Sequence, residues 1–396
     1  MLNANHNVRF HYLMHPEYRS CLSFDNYVTM KHTITLLFGT LIFCTPIDAQ
    51  QRVIDAIDHS PVSAASIFDA SGNMVGYTLS DGTFSEIPES AYPITLRCIA
   101  YEQLIVERAE DKTWEMTPSV YNLEELVIVP VKRNILKQTF YVREYFSMSN
   151  STDTVTFFTE HMADRFVPTS KDAKFGRSSS LRILKSRHYS HYQLFGEDSV
   201  GVDTESPFPS MLTIIKLNEG EITAPESFKE SDNPLKLNEK AGKSGKVLIQ
   251  KQNAHTFTTI KGLLAENEEH KVSPWPLKLL GITMEFNQLY ITHAYRVNDK
   301  GVYLPNDLME ASLVMVADGR GKFLRKALKS DKPIVIRCMI ELYSVDNDYL
   351  SKKEAKDEYK NKPTDVKFVI PSTVPPLNGP TQRLVERVNT EQKIKN

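Results

Sequence analysis

The sequence predicts a mainly β protein, with an N-terminal seven-stranded antiparallel β-sandwich followed by a β-rich α+β region. Two observations carry this. From Arg52 onward, short apolar runs alternate with turn residues about every 8–12 positions, the spacing of a sandwich. Further along, Ile334, Ile336, Cys338, Ile340 and Leu342 recur with period two, which places them on one face of a strand.

The bulk numbers agree with a packed protein. The chain has 396 residues, of which 41% are hydrophobic. That is room for two or three domains of roughly 100–200 residues each. With 47 basic and 49 acidic residues the net charge is -2, so no global field draws nucleic acid or acidic lipid. The densest basic cluster, Lys352-Lys353 with Lys356, is offset by Glu354, Asp357 and Glu358 and reads as a solvated helix face.

One stretch departs from globular composition. Met30-Lys31-His32 is followed by an apolar run from Ile34 to Phe43, then by Pro46-Ile47-Asp48-Ala49. This is the three-part pattern of a secretory signal, with cleavage expected after Ala49. The run is too short for a membrane span, which needs about 20 residues. A buried core helix or strand is the plain alternative. Residues 1–29 do not fit in front of a signal, so Met30 is the expected start. Cys44 could suggest lipid attachment, but Phe43 is bulky where such sites carry a small residue.

Four cysteines are present. After cleavage Cys98 and Cys338 remain, each in an apolar run, and both read as buried free thiols. A bridge between them stays open, because sequence cannot bring the two together.

The segment 50–131 justifies the sandwich strand by strand. Val53–Ile57 ends at Asp58-His59-Ser60-Pro61, and Ala65–Phe68 ends at Asp69–Asn73. Gly76–Leu79 leads through Ser80-Asp81-Gly82 into Thr83–Ile87. Ile94–Ile99, Leu104–Val106 and Leu126–Val129 complete the set. Asp81-Gly82 supplies the positive-φ residue that a tight hairpin needs.

The run Val53-Ile54-Asp55, Pro61 to Ile67, Ser80 to Phe84, Cys98 to Tyr101 and Asn122 to Val129 resembles the carboxypeptidase-regulatory-like (transthyretin-like) domain. The likeness covers residues about 52–130. It departs from the family at Arg52, Ala64 and Ala100, where relatives carry glycine, and these changes remove backbone freedom at turns. The resemblance implies a non-catalytic module of the kind used in Bacteroidetes cell-envelope proteins. In receptors such a domain precedes a plug and a large barrel, and neither companion is evident after Val131.

Residues 132–370 read as an uncharacterised β-rich α+β domain. Asp153 to Phe166 has apolar residues at Val155, Phe158, Met162 and Phe166, a helical spacing closed by Pro168. Leu181–Leu184, Met211–Leu217, Lys246–Gln250, Thr256–Ile260 and Leu289–Tyr295 read as strands, and Asp365–Ile370 as a last one. Ser351 to Glu354 is a capping box opening a charged helix. Asn218 to Gly245 reads as a long polar loop. Residues 371–396, with Pro371, Pro375, Pro376 and Pro380, read as a flexible tail.

The search for chemistry singles out few residues. His188 and His191 lie three apart, but in a strand or loop they need a third ligand to hold a metal, so packing is the reading taken. Glu268-Glu269-His270 sits in a polar loop. Ser178-Ser179-Ser180 lacks a strand-to-helix elbow. Asp318-Gly319-Arg320-Gly321-Lys322 only loosely resembles a phosphate loop and reads as a turn. Trp275, between two prolines, is as readily an apolar anchor as a stacking platform. No catalytic, cofactor-binding or metal residue is assigned, and no cofactor. The expectation is a non-catalytic interaction or structural protein, periplasmic or outer-membrane associated. Its partner would be a protein or glycan of the envelope, with no nucleic acid and no membrane span after cleavage. The alternative is an envelope hydrolase with its residues scattered through 132–370.

Overall fold

The chain divides into two compact units, Met1–Ala49 and Gln50–Asn396, and the first lies outside the described residues. The computed structural model describes residues 51–109, 113–119, 133–169, 181–201, 247–252, 255–262, 282–299, 301–321 and 332–395. It also describes short strands and isolated positions between 173 and 328. The described protein is mainly β, as the sequence predicts.

The N-terminal lobe holds six short strands: β1 (Arg52–Asp55), β2 (Ser66–Phe68), β3 (Met74–Tyr77), β4 (Ile94–Arg97), β5 (Leu104–Val106) and β6 (Thr113–Met116). β1 and β6 pair in parallel, while β3-β2-β4-β5 form an antiparallel sheet. Val53, Trp114 and Met116 of the first pair share one core with Ile67, Ile94 and Leu96 of the second sheet. Phe84 stacks on Trp114 at 4.9 Å within it. The lobe is therefore sandwich-like. Its strand set differs from the expected seven antiparallel strands: β1–β6 is parallel, and Thr83–Ile87 contributes a single bridge, from Thr83 to Arg52. The expected strand Leu126–Val129 lies outside the described residues.

Turn chemistry in the lobe follows the sequence closely. Gly82 has φ 79° and donates its amide to the Leu79 carbonyl at 3.0 Å. A Cβ there would sit 2.4 Å from the Val53 carbonyl oxygen, so two requirements converge on glycine. Ala64 and Ala100 adopt left-handed φ of 58° and 65°. Each costs on the order of 1–2 kcal/mol for a residue with a Cβ.

The remainder is built on one ten-stranded antiparallel sheet. Its strands are β7 (Ile135–Ser149), β8 (Thr154–Pro168), β9 (Arg182–Leu194), β10 (Glu197–Gly201), β12 (Lys236–Asn238), β13 (Val247–Gln252), β14 (Thr256–Gly262), β15 (Ile282–Arg296), β17 (Leu308–Gly321) and β18 (Ile334–Leu350). The order is β10-β9-β8-β7-β18-β17-β15-β14-β13-β12, so the first long strand pairs with the last. Off the sheet, β11 (Ile222–Thr223) pairs with β16 (Val302–Tyr303). The expected strands at Thr256–Ile260, Leu289–Tyr295 and Ile334–Leu342 are present and longer than their apolar runs.

Both faces of this sheet are covered. Phe140, Val142, Phe146, Val155, Phe157, Leu313, Met315, Ile336 and Ile340 form the larger core on one face. The opposite face packs against the lobe and the C-terminal segment through Tyr145, Phe158, Tyr189, Phe68, Met74, Leu384 and Val388. Double coverage explains a correction. Residues 154–168 are strand β8, not the helix that Val155, Phe158, Met162 and Phe166 suggest. Val155 and Phe157 enter one core while Phe158 and Met162 face the other side. Apolar residues on both faces abolish the period of two and mimic helical spacing.

After β18 comes α1 (Lys352–Lys360), capped as expected: the Ser351 Oγ accepts from the Glu354 amide, and the Glu354 carboxylate accepts from the Ser351 amide. Residues 365–370 then run without forming a strand, which corrects the expectation there. The supposed flexible tail is a second correction, because Gly379–Lys395 form a helix, α2. Asn378 caps it, its Oδ1 accepting the Thr381 amide at 2.8 Å. Pro380 sits in the first turn, where a missing N–H costs nothing. Leu384 and Val388, four apart, bury against the sheet and the lobe.

Candidate functional site

The face of the sheet beneath the lobe carries an ordered array of polar and aromatic side chains. Register places Glu310, Tyr343, Tyr141, Met162 and Lys185 in one row across β17, β18, β7, β8 and β9. Two residues along each strand, the next row reads Ser312, Glu341, Arg143, Glu160 and Arg187. The row after that is Val314, Met339, Tyr145, Phe158 and Tyr189. A stripe of alternating charge thus lies between a row centred on Tyr343 and Tyr141 and a largely aromatic row. Period-two side chains and ladder register generate it.

The stripe holds the rest of the chain. Arg97, the last residue of β4 in the lobe, reaches down to Glu341 at 2.7 Å and donates to the Tyr145 hydroxyl at 2.6 Å. Its side chain is 1% exposed and that of Glu341 2%, so this is a fully buried pair. Burial disfavours the Arg97 charge, but the Glu341 carboxylate, with Tyr145 and Tyr343, outweighs it, and the guanidinium is held above its ordinary pKa. Burial likewise pushes the Tyr145 and Tyr343 hydroxyls up. Arg143 donates to the Tyr141 hydroxyl at 3.2 Å and to the Pro375 carbonyl at 2.6 Å. Tyr141 in turn donates to Glu160.

Two further contacts dock the lobe. The left-handed turn at Ala100 aims its amide at Glu310, 3.0 Å away. The strained φ therefore serves lobe–sheet docking. At the side, Lys251 of β13 donates to Asp55 at 2.5 Å and to the Tyr101 hydroxyl at 2.7 Å. Burial alone would raise the Asp55 pKa, yet the Lys251 and Ile57 hydrogen bonds hold it below its ordinary value. Between Lys251 and the turn lies a small crevice lined by Pro61, Ser63, Cys98, Tyr101 and Thr258. Burial raises the Cys98 thiol to about 12.

The opposite face carries a second polar cluster. Ser186 of β9 pairs with His161 of β8, and Glu144 of β7 stands diagonal to His161 on the same face. Nδ1 of His161 lies 2.8 Å from the Ser186 hydroxyl, and Nε2 lies 3.3 Å from Glu144. Ser210 donates to the same carboxylate at 2.6 Å.

The residues weighed in the sequence fall elsewhere. His188 and His191 both lie on β9 but point to opposite faces. His188 meets Thr159 at 3.2 Å and His191 meets Asp198 at 3.2 Å, so they converge on nothing common. His59, at φ 56° in its turn, lies 3.9 Å from Glu115. Asp318 to Gly321 end strand β17 and form no turn, a correction to that reading. Ser178 to Ser180, Glu268 to His270 and Trp275 lie outside the described residues. Cys98 and Cys338 are both free, and Cys338 is buried. Among the described residues no group of three or more His, Cys, Asp or Glu could hold a metal. No described helix is long and apolar enough to cross a membrane.

Sequence reasoning missed the charged stripe entirely. Arg143, Glu160, Arg187 and Glu341 are ordinary charged residues in sequence, and neighbours in the row lie between 17 (Arg143 to Glu160) and 198 (Arg143 to Glu341) positions apart. Only strand register brings them together. The available signal was unpaired-looking charge inside strongly apolar strands, as in Tyr141-Val142-Arg143-Glu144-Tyr145-Phe146. No protein-family model matches the chain, and no curated protein matches it either.

Proposed function

We propose that this chain is an exported, non-catalytic interaction or structural protein of the cell envelope, whose partner is a protein or a glycan. Its lobe reads as a carboxypeptidase-regulatory-like sandwich. The observation that carries this reading is the stripe Glu341–Arg143–Glu160–Arg187. Glu341 holds Arg97 of the lobe, Arg143 and Arg187 hold Pro375 and Phe368 of the C-terminal segment, and Glu160 ties Arg187 within the sheet, which is docking chemistry built on Arg and Tyr. Export is supported by the basic start, apolar run and small-residue end of Met30–Ala49. The test is fractionation of cells making the full chain, with N-terminal sequencing and crosslinking of the mature form in intact envelopes. A mature protein starting at Gln50 and crosslinked to one envelope component supports the reading. A cytoplasmic protein keeping residues 30–49 refutes it.

The hydrolase reading draws on one specific observation, the Ser186–His161–Glu144 chain. Ser186 lies in mid-strand opposite His161 of β8, without the strand-to-helix elbow that exposes a nucleophile. A fluorophosphonate probe decides it. Labelling of Ser186, lost in Ser186→Ala, overturns the non-catalytic reading.

A further inference from the structure

The segment joining α1 to α2 lies on the charged stripe in the manner of a bound peptide. Residues 361–365 are all exposed. From there Val366 and Phe368 turn inward, followed by Val374 beyond the turn. Val366, Phe368 and Val374 pack on Tyr141, Met162 and Tyr343, while Val369 and Ile370 are each left 50% exposed. The sheet grips the backbone with charged donors. Lys185 donates to the Val366 carbonyl at 2.7 Å, and Arg143 to the Pro375 carbonyl at 2.6 Å. The Arg187 guanidinium lies 4.0 Å from the centre of the Phe368 ring. This is one aromatic anchor with two main-chain carbonyls held from outside the segment, a mode that reads backbone and one side chain.

We propose that this groove is a docking site for a partner peptide, and that residues 364–376, which run on over Val366–Ile370 and turn at Pro371–Val374, fill it as a built-in ligand. The peptide class follows from the occupant: an aromatic residue with a β-branched residue two before it and two directly after it, then a turn opened by proline. The segment is suited to displacement. Its approach from α1 is solvent-exposed, two of its aliphatic residues face water, and its ends are tied down separately by α1 and by the buried residues of α2. It can therefore lift while both helices stay docked. A competing peptide pays only the cost of displacing a tethered segment. This inference rests on the interaction reading above and names the surface that would serve it.

The test uses the full chain and a fluorescein-labelled synthetic peptide of residues 364–376. Phe368→Ala removes the internal anchor and leaves the groove intact. That variant should bind the peptide at least about tenfold more tightly than the wild type, because the competent state is more populated. Arg187→Ala, introduced into Phe368→Ala, should abolish the gain. Equal binding by wild type and Phe368→Ala, or a gain that survives Arg187→Ala, overturns the proposal. If Phe368→Ala instead dimerises, the occupant is a second copy of this chain, and the partner-peptide assignment fails. Native hydrogen exchange provides a second measurement that needs no variant. Amides of Thr364 to Ile370 should exchange at least about a hundredfold faster than those of β7 and β8, as a separately opening unit does. Exchange together with those strands overturns the proposal. Either failure leaves the envelope crosslinking result untouched, so the two readings fail separately.

Discussion

Arg97 of the lobe and Glu341 of the sheet are 244 residues apart in sequence and form a 2.7 Å ion pair sealed from water. Taking two charges out of water is expensive, and removal of one partner leaves the other buried without compensation. Arg97→Met should therefore destabilise the protein by about 3–5 kcal/mol. The double variant Arg97→Met/Glu341→Leu should recover most of that loss. Urea unfolding of the four proteins of the cycle measures it. A single variant as stable as the wild type refutes the buried pair.

Gly82 combines a φ of 79° with the Val53 carbonyl 2.4 Å from where a Cβ would stand. Gly82→Val should cost more than the ~1 kcal/mol of the left-handed conformation alone, because β1 must also move. Thermal unfolding of the mature chain checks this. An unchanged melting temperature refutes the turn assignment.

Asp55 titrates below its ordinary value of 3.8, since its carboxylate is hydrogen-bonded by Lys251, the Ile57 amide and Tyr101. The sign follows from linkage. A carboxylate whose folded pKa is depressed contributes stability that is fully present above its unfolded pKa. That stability is lost as pH falls through the folded value. The stability difference between wild type and Asp55→Asn should be constant from neutrality down to about pH 5 and shrink below about pH 4. A difference that instead fades between pH 6 and 8 assigns the contact to another group.

Both described thiols should be inert in the native protein. Burial pushes Cys98 up to about 12 and raises Cys338 well above its ordinary value, so little thiolate forms near neutrality. Iodoacetamide at pH 8 should label neither Cys98 nor Cys338 until denaturant is added, as read by peptide mass spectrometry. Rapid native labelling of Cys98 would show that the lobe–sheet crevice opens in solution.

What was legible in the sequence was local. Turn residues foretold the left-handed Gly82, whereas the left-handed Ala64 and Ala100 were not legible in the sequence. The Ser351–Glu354 cap was readable because its partners are three residues apart. Strand β18 announced itself because its apolar residues fall on one parity. Where both faces of a strand are buried, that parity is lost, and β8 took on the look of a helix. Helix α2 was hidden because proline spacing suggested a linker, whereas Pro380 sits where a helix tolerates it. The candidate site belongs wholly to the tertiary structure. A stripe of Glu341, Arg143, Glu160 and Arg187 exists only through ladder register between strands distant in sequence. Local propensity carries no information about which charges such a register will align, because pairing energy is decided by long-range burial and not by neighbouring residues.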